Sequence, residues 1–326
     1  MADGFELFVR AAGNPILTAA DLPYLASTVF NPGAARVDGE VLLLARVEDR
    51  RGISQLHVAR SPDGIGDWKF DPSPLIVPEP VGYPEEIWGC EDPRLTWLDE
   101  LQEWAIAYTA YSRLGPLVSL ATTTDFRSIR RVGAVMPPED KDAALFPRRI
   151  AGRWAMIHRP TPIRGNAHMW LSFSPDLLHW GDHTLMLEAR EGAWWDAGKI
   201  GLGPPPVETE HGWLTMYHGV HVTADGPIYR VGFVLFNIDD PTVVERRCDE
   251  WAFGPDERFE REGDVDKVVF PCGWVVDRER DEILLYYGAA DMSIGLATAR
   301  LSTVMDHVMA SPRPEPRHRP APRAGR

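Results

Sequence analysis

Cysteine is scarce in this chain: 326 residues carry three, Cys90, Cys248 and Cys272. They lie far apart and form neither a Cys-x-x-Cys pair nor a zinc spacing with histidine. That argues against a disulfide framework and a Cys-based metal centre. An odd, sparse set fits thiols buried as small apolar residues in a reducing compartment. Long apolar runs are missing as well. No stretch approaches the ~18 apolar residues of a membrane-spanning helix. The first residues, MADGFELFVR, place no basic segment ahead of an apolar one, so no signal peptide is read. The expectation is a soluble, cytoplasmic chain without a membrane partner.

Positive charge is also short. Lys and Arg number 34 against 48 Asp and Glu, a net charge of −14. The final stretch, SPRPEPRHRPAPRAGR, holds five Arg and one Glu and is +4 by itself, so the remainder is −14 − 4 = −18. A body that acidic lacks the electrostatic footprint of a nucleic-acid binder. The basic, Pro-rich end, residues 309–326, reads as a disordered tail.

Helical periodicity is the last deficit, and repetition stands in its place. LHVARSPDGIGDW (56–68), VSLATTTDFRSI (118–129), MWLSFSPDLLHW (169–180) and VGFVLFNIDDPT (231–242) share one form. Each is an alternating apolar strand, a small or polar step, then Asp in a turn. The Asp residues fall at 63, 125, 176 and 239, so the steps are 62, 51 and 63 residues. A weaker copy, IGLATARL (294–301), ends the ordered chain. Between the copies lie further short strands, such as EVLLLARV, EWAIAYTAY and EILLYYGAA. Aromatic and β-branched strands with frequent turn residues indicate an all-β chain. A period near sixty suits one four-stranded sheet plus loops. Five such units over residues 1–308 predict a single-domain five-bladed β-propeller; two β-sandwiches with coincident spacing are the alternative.

The polar interruptions of these strands point to a site. They include FNPGAARV (30–37), ARVEDRRG (45–52), GCEDPRLTW (89–97), KDAALFPRRI (141–150), MIHRP (156–160), DAGKIGLGPPP (196–206), MYHGV (216–220), IYRVG (228–232), VVFPCG (268–273) and YYGAAD (286–291). Singly, each has a plain structural reading. Asp92-Pro93, for instance, favours a turn, with Arg94 close enough to neutralise the acid. Together they set polar groups at strand ends in every repeat, as one shared central site requires. Lys141, Arg159, Lys199, His218 and Arg230 stand beside Gly, Pro and aromatic residues, a setting suited to a small oxyanion. GLGPPP has no Lys-Ser/Thr step and no following helix, so it is no nucleotide loop. The motifs differ from repeat to repeat, which favours one asymmetric site over the equivalent sites of a lectin.

In their order, from about residue 30 to 301, these motifs resemble the β-mannoside phosphorylases of glycoside hydrolase family 130. The resemblance implies a five-bladed β-propeller that splits a β-mannoside oligosaccharide with inorganic phosphate, giving α-mannose 1-phosphate and a shortened acceptor. It implies inorganic phosphate as co-substrate, with no cofactor; no ligand spacing in the sequence supports a metal, so none is expected. It places the catalytic acid at Asp92, with a raised pKa and a proton relayed through the mannose 3-hydroxyl. Asn31, Arg46 and Asp291 match mannose-binding positions. Lys141, Arg159, Lys199, His218 and Tyr229 match the phosphate site. Asp142 is odd beside an anion, and orienting Lys141 or Arg159 is its expected task. A hydrolase on the same fold would need a second carboxylate some 6.5–9.5 Å from the acid, with Glu48, Asp49 and Asp291 as candidates. The linkage, β-1,4 or β-1,2, stays open. Trp194 and Trp195 are candidates for stacking on the acceptor. Family habit makes a homo-oligomer an expectation.

Overall fold

The computed structural model describes residues 7–314. It is mostly β, built from five antiparallel sheets of successive strands. Sheet I contains Thr28–Val37, Glu40–Glu48, Ser54–Ser61 and the short Lys69–Phe70. Sheet II contains Gly89–Leu98, Glu103–Ser112, Gly115–Thr123 and Arg130–Ala134. Sheet III contains Asp140–Leu145, Trp154–Pro160, Met169–Ser174 and Gly181–Leu187. Sheet IV contains Lys199–Leu202, Gly212–Thr223, Gly226–Phe236 and Val244–Arg247, with Val207–Thr209 pairing on the same second strand. Sheet V contains Val269–Asp277, Glu282–Ala289 and Ser293–Ala299, and its outer strand is the N-terminal Val9–Arg10. Sheets I and II also touch through one parallel register, Ser54 with Gly89.

Strand alternation explains how the sheets stack. Successive side chains point to opposite faces, and here both faces are buried. In sheet I, Leu42 and Leu44 pack with Ile106 and Tyr108 of sheet II, while Val41, Leu43 and Ala45 pack with Leu284 and Tyr286 of sheet V. Sheets II and III share Ala105, Ala107, Leu145, Trp154 and Met156. Sheets III and IV share Ile157, Leu171, Trp213 and Tyr217. Sheets IV and V share Met216, Phe233, Leu285 and Tyr287. Five hydrophobic layers therefore close a ring. Each fully buried large apolar side chain in them contributes roughly 1.5–3 kcal/mol.

The repeated Asp is a turn device. The Asp63 carboxylate accepts from the Ile65 and Gly66 N–H groups, Asp125 from Arg127 and Ser128, and Asp176 from Leu178 and His179. All three follow the third strand of a sheet. In sheet IV the device shifts by two residues: Asn237 accepts from the Asp239 and Asp240 N–H groups.

The chain's end departs from expectation. After Ser293–Ala299 comes a helix, Leu301–Ala310, whose Val304 and Val308 are fully buried. Ser311 then donates to the Cys248 sulfur, and Arg313 pairs with Glu245. Order thus runs past the boundary at 308, because an apolar helical face follows the last strand. The rest of the expected tail, 315–326, lies outside the described residues. Among the described residues no helix is long and apolar enough to cross a membrane, and no His, Cys, Asp and Glu cluster has the makings of a metal site.

Candidate active site

The first strands of sheets V, I, II, III and IV meet in succession, and several are locally broken. The pairing register shifts between Phe30 and Gly33, between Glu91 and Arg94, between Lys141 and Ala144, and between Pro271 and Gly273. Asn31, Asp92 and Asp142 sit in three of these bulges, at φ of 45°, 50° and 54°. Asn and Asp are the non-glycine residues that best tolerate this left-handed region. A bulge re-aims a side chain out of the strand's alternation. The Asp92-Pro93 step is therefore no chain-reversing turn. The strand Gly89–Leu98 runs straight through it.

Two poles result. At the first, Asp92 is 3 % exposed. Its Oδ1 accepts from Asn31 Nδ2 at 2.9 Å and from Arg46 Nη1 at 3.1 Å. Arg46 also reaches Glu91 at 3.1 Å and Ser54 Oγ at 2.8 Å. Asn31 is seated by a missing side chain: a Cβ on Gly288 would stand 1.9 Å from its Oδ1. That explains the glycine of the YYGAAD motif. Asp291, at the motif's end, bears electrostatically on Asp92, Arg46 and Lys141.

The carboxyl groups of this pole differ. Burial, the nearby Asp92 and Glu48 push Asp291 up to about 6, against the pull of Arg46 and Lys141. Burial also raises Glu91. Asp92 goes the other way. Burial favours its neutral form, but Arg46, Lys141, Arg94 and the Asn31 hydrogen bond outweigh it and hold the acid below the ordinary carboxylate range. The expectation of a raised pKa at Asp92 is thus corrected: the cations around it win.

The second pole is cationic. Arg159 Nε donates to Asp142 Oδ2 at 2.7 Å and Nη1 to Thr161 Oγ1 at 3.1 Å. Arg94 Nη2 lies 3.5 Å from Asp142 Oδ1, and His218 Nε2 3.5 Å from Oδ2. The Lys199 ammonium stands 5.1 Å above the Tyr229 ring, and the His218 ring packs 4.7 Å from Phe270 and 6.0 Å from Tyr229. Lys141 lies between the poles, its charge acting on Asp92, Glu91, Asp291 and Asp142 alike. Burial, then Arg159, Lys199 and Arg94, lower His218 to about 3 against the pull of Asp142, so its imidazole is neutral. Its Nδ1 is buried with no hydrogen-bond partner. A Cβ on Gly201 would strike Asp142 at 2.3 Å and His218 at 2.5 Å, so the KIGLG glycine is required space. Arg94, Arg159 and Lys141 bear on one buried carboxylate, Asp142, with Lys199 acting on the neighbouring His218, and the surplus of positive charge suits a small anion.

Asn31, Arg46, Asp92, Asp291, Lys141, Arg159, Lys199, His218 and Tyr229 fall in or between these two poles; Arg230 does not, because its guanidinium stacks on the Trp251 ring at 4.2 Å. Asp142 orients Arg159, as expected. Two further assignments change. Trp195 is buried, stacks on Tyr217 at 5.3 Å and donates its indole N–H to the Asp249 carbonyl, so it is core and no acceptor platform. Asp49 closes a turn on the Arg51 and Ile53 N–H groups. Arg94 was read only as a local counter-charge, yet it is central. It is 1 % exposed and donates to the Asp92, Leu202 and Gly203 carbonyls, tying sheet II to sheet IV beneath the site. Its place in the CEDPR motif was the available signal.

A profile of the family described as β-1,4-mannooligosaccharide phosphorylase matches residues 17–310. The β-1,4-mannooligosaccharide phosphorylase of Ruminococcus albus is 32 % identical over 318 residues, covering 94 % of this chain and 92 % of that protein. The structure of β-1,2-mannobiose phosphorylase from Listeria innocua, in complex with β-1,2-mannobiose, superposes with a TM-score of 0.84 at 28 % identity. It covers 93 % of this chain and 99 % of the other. A further structure, from work on family members that are glycoside hydrolases targeting β-1,2 mannosidic linkages in Candida mannan, gives 0.80 at 26 % identity, over 93 % and 96 % of the two chains.

Proposed function

The chain belongs to glycoside hydrolase family 130, the β-mannoside phosphorylases, and from that footing we propose that it performs inverting phosphorolysis of a β-mannosyl oligosaccharide. The products are α-mannose 1-phosphate and a shortened acceptor. We read the five sheets as the blades of a β-propeller, with the reaction at its axis. The observation that carries the phosphorolytic reading is the cationic pole: Arg159, Lys199 and the unpartnered Nδ1 of His218 converge beside Lys141.

In this reading Asn31, Arg46 and Asp291 hold the mannose, and Lys141, Arg159, Lys199, His218 and Tyr229 hold phosphate on the opposite face of C1. A phosphate oxygen forms the new bond to C1 as the glycosidic C1–O bond breaks, which inverts the configuration. Asp92 supplies the proton that the departing oxygen takes up, relayed through the mannose 3-hydroxyl. The proton of hydrogen phosphate, released as the ester forms, restores Asp92. One carboxyl group suffices because phosphate needs no base to become a nucleophile, unlike water. The depressed pKa of Asp92 fits this cycle. A dianion arriving among the cations offsets part of the charge that keeps Asp92 ionised, so phosphate itself readies the acid.

The test is phosphate dependence. With β-1,4- and β-1,2-mannobiose offered in turn, mannose 1-phosphate is expected only when phosphate is present. Asp92→Asn should lower the rate by roughly 10²–10⁴-fold. Free mannose released equally well without phosphate would make the protein a hydrolase instead.

A further inference from the structure

Sheet III carries a row of buried polar side chains that the reaction above does not use. Asp140, His158 and Ser172 stand on its first, second and third strands at 3 %, 3 % and 0 % exposure. His158 Nδ1 lies 2.6 Å from Asp140 Oδ2, and its Nε2 lies 2.7 Å from Ser172 Oγ. Ser172 Oγ lies 2.7 Å from Nδ1 of His183, an exposed residue on the fourth strand. The pairing of the third and fourth strands is irregular between Leu171 and Phe173, which admits this last contact. The other Asp140 oxygen, Oδ1, accepts from the Arg159 backbone N–H at 3.1 Å.

Every assignment of protons that satisfies the row has one bond in common, from His158 Nδ1 to Asp140. A carboxylate only accepts, so His158 donates from Nδ1. The Ser172 hydroxyl, which can both donate and accept, links His158 Nε2 to His183 Nδ1. The row looks like a nucleophilic triad, but Ser172 is fully buried within the sheet and no substrate reaches its oxygen. It ends at the backbone of Arg159, directly across the ladder from Lys141.

We propose that His158 is a positioning residue for the phosphate clamp. Through Asp140 it braces the backbone from which the Arg159 guanidinium departs toward Asp142. The inference rests on the reading of Arg159 as a phosphate ligand. Without the His158 donor, one oxygen of a buried carboxylate loses its partner, and Asp140 must move or draw in water. Either change shifts the Lys141–Arg159 pair while leaving Asn31, Arg46 and Asp92, on sheets I and II, in place.

The experiment compares wild type, His158→Phe, His158→Asn and Ser172→Ala. It uses whichever mannobiose the wild type consumes and measures KM for phosphate and for the disaccharide separately. His158→Phe should raise the phosphate KM roughly ten- to a hundredfold, with the disaccharide KM close to wild type. His158→Asn keeps a donor near the place of Nδ1 and should recover most of the loss; Ser172→Ala should shift the phosphate KM in the same direction by less. An unchanged phosphate KM in His158→Phe, equal loss for both substrates, or no recovery in His158→Asn would overturn the brace. Should His158→Phe fail to fold, Ser172→Ala decides: a raised phosphate KM supports the brace and an unchanged one overturns it. A wild type that releases free mannose without phosphate refutes the phosphorylase reading before any variant is made, so the two failures are distinguishable.

Discussion

Asp92 and Asp291 are the same residue type at one pole, the first buried and the second half-buried, yet their pKa values move apart. Asp92 is held ionised by Arg46, Lys141, Arg94 and Asn31, whereas burial dominates at Asp291 and lifts it to about 6. Groups with separated pKa values at one site take separate roles. The sign of the stability effect follows. The folded chain binds a proton at Asp291 more tightly than the unfolded chain, whose value is near 3.8. This contribution is present at low pH and is lost as pH rises from about 4 to about 6. Asp291→Asn removes it. Denaturant unfolding across that window should show wild type losing stability relative to the variant, and parallel profiles would refute the assignment. At this scale the sequence was informative for charged residues and poor for their neighbours. Asp92, Arg159 and His218 were legible in their motifs. Gly288 and Gly201 were not, because their task is to leave space for Asn31, Asp142 and His218, residues distant in the chain.

The bulged first strand is the element that builds the site. In sheet III it turns Asp142 inward, where one carboxylate meets Arg159 of its own sheet, Arg94 of sheet II and His218 of sheet IV. Asp142 is fully buried, and although burial opposes ionisation, Arg159, His218, Arg94 and Lys141 hold it far below the usual carboxylate value. Asp142→Asn leaves those cations buried without their counter-charge, a loss of about 3–5 kcal/mol at pH 7. The folded-state pKa is depressed, so this stability exists above the ordinary value near 3.8 and is lost as pH falls below it. Urea titrations should therefore show a large gap between wild type and variant at pH 7 that narrows in acid; a gap independent of pH would contradict the ion-pair account. The Asp turns after the third strands were readable because they are local, each closing on N–H groups two and three residues on. The bulges at Asn31-Pro32 and Asp92-Pro93 look like turns in sequence, and only pairing on both sides of the shift makes them strand.

Over the whole molecule, the decisive feature is closure. The N-terminal strand Val9–Arg10 completes sheet V against Ser293–Ala299, Phe8 is buried between sheets IV and V, and Arg10 forms a two-pronged pair with Glu260 at 2.8 Å. Deleting residues 1–12 removes a core aromatic worth about 3–5 kcal/mol and bares the edge of Ser293–Ala299, which then invites pairing with another chain. The truncated protein should melt at lower temperature and scatter light on heating. A melting curve that overlays the full-length one would show that the first strand contributes nothing to closure. The repeat near sixty residues and the alternating, aromatic and β-branched strands determined by themselves that the chain is all-β and built of successive small sheets. Alternation is a local property, and it survives in the sequence. The family motifs, likewise local, marked the polar residues that the fold gathers at the two poles. Which sheets meet, which side chains face one another, and which way the pKa of Asp92 moves were decided only by the tertiary structure. Those depend on charges brought together from Arg46, Lys141 and Arg94, and Coulomb interactions follow distance in space, not separation along the chain.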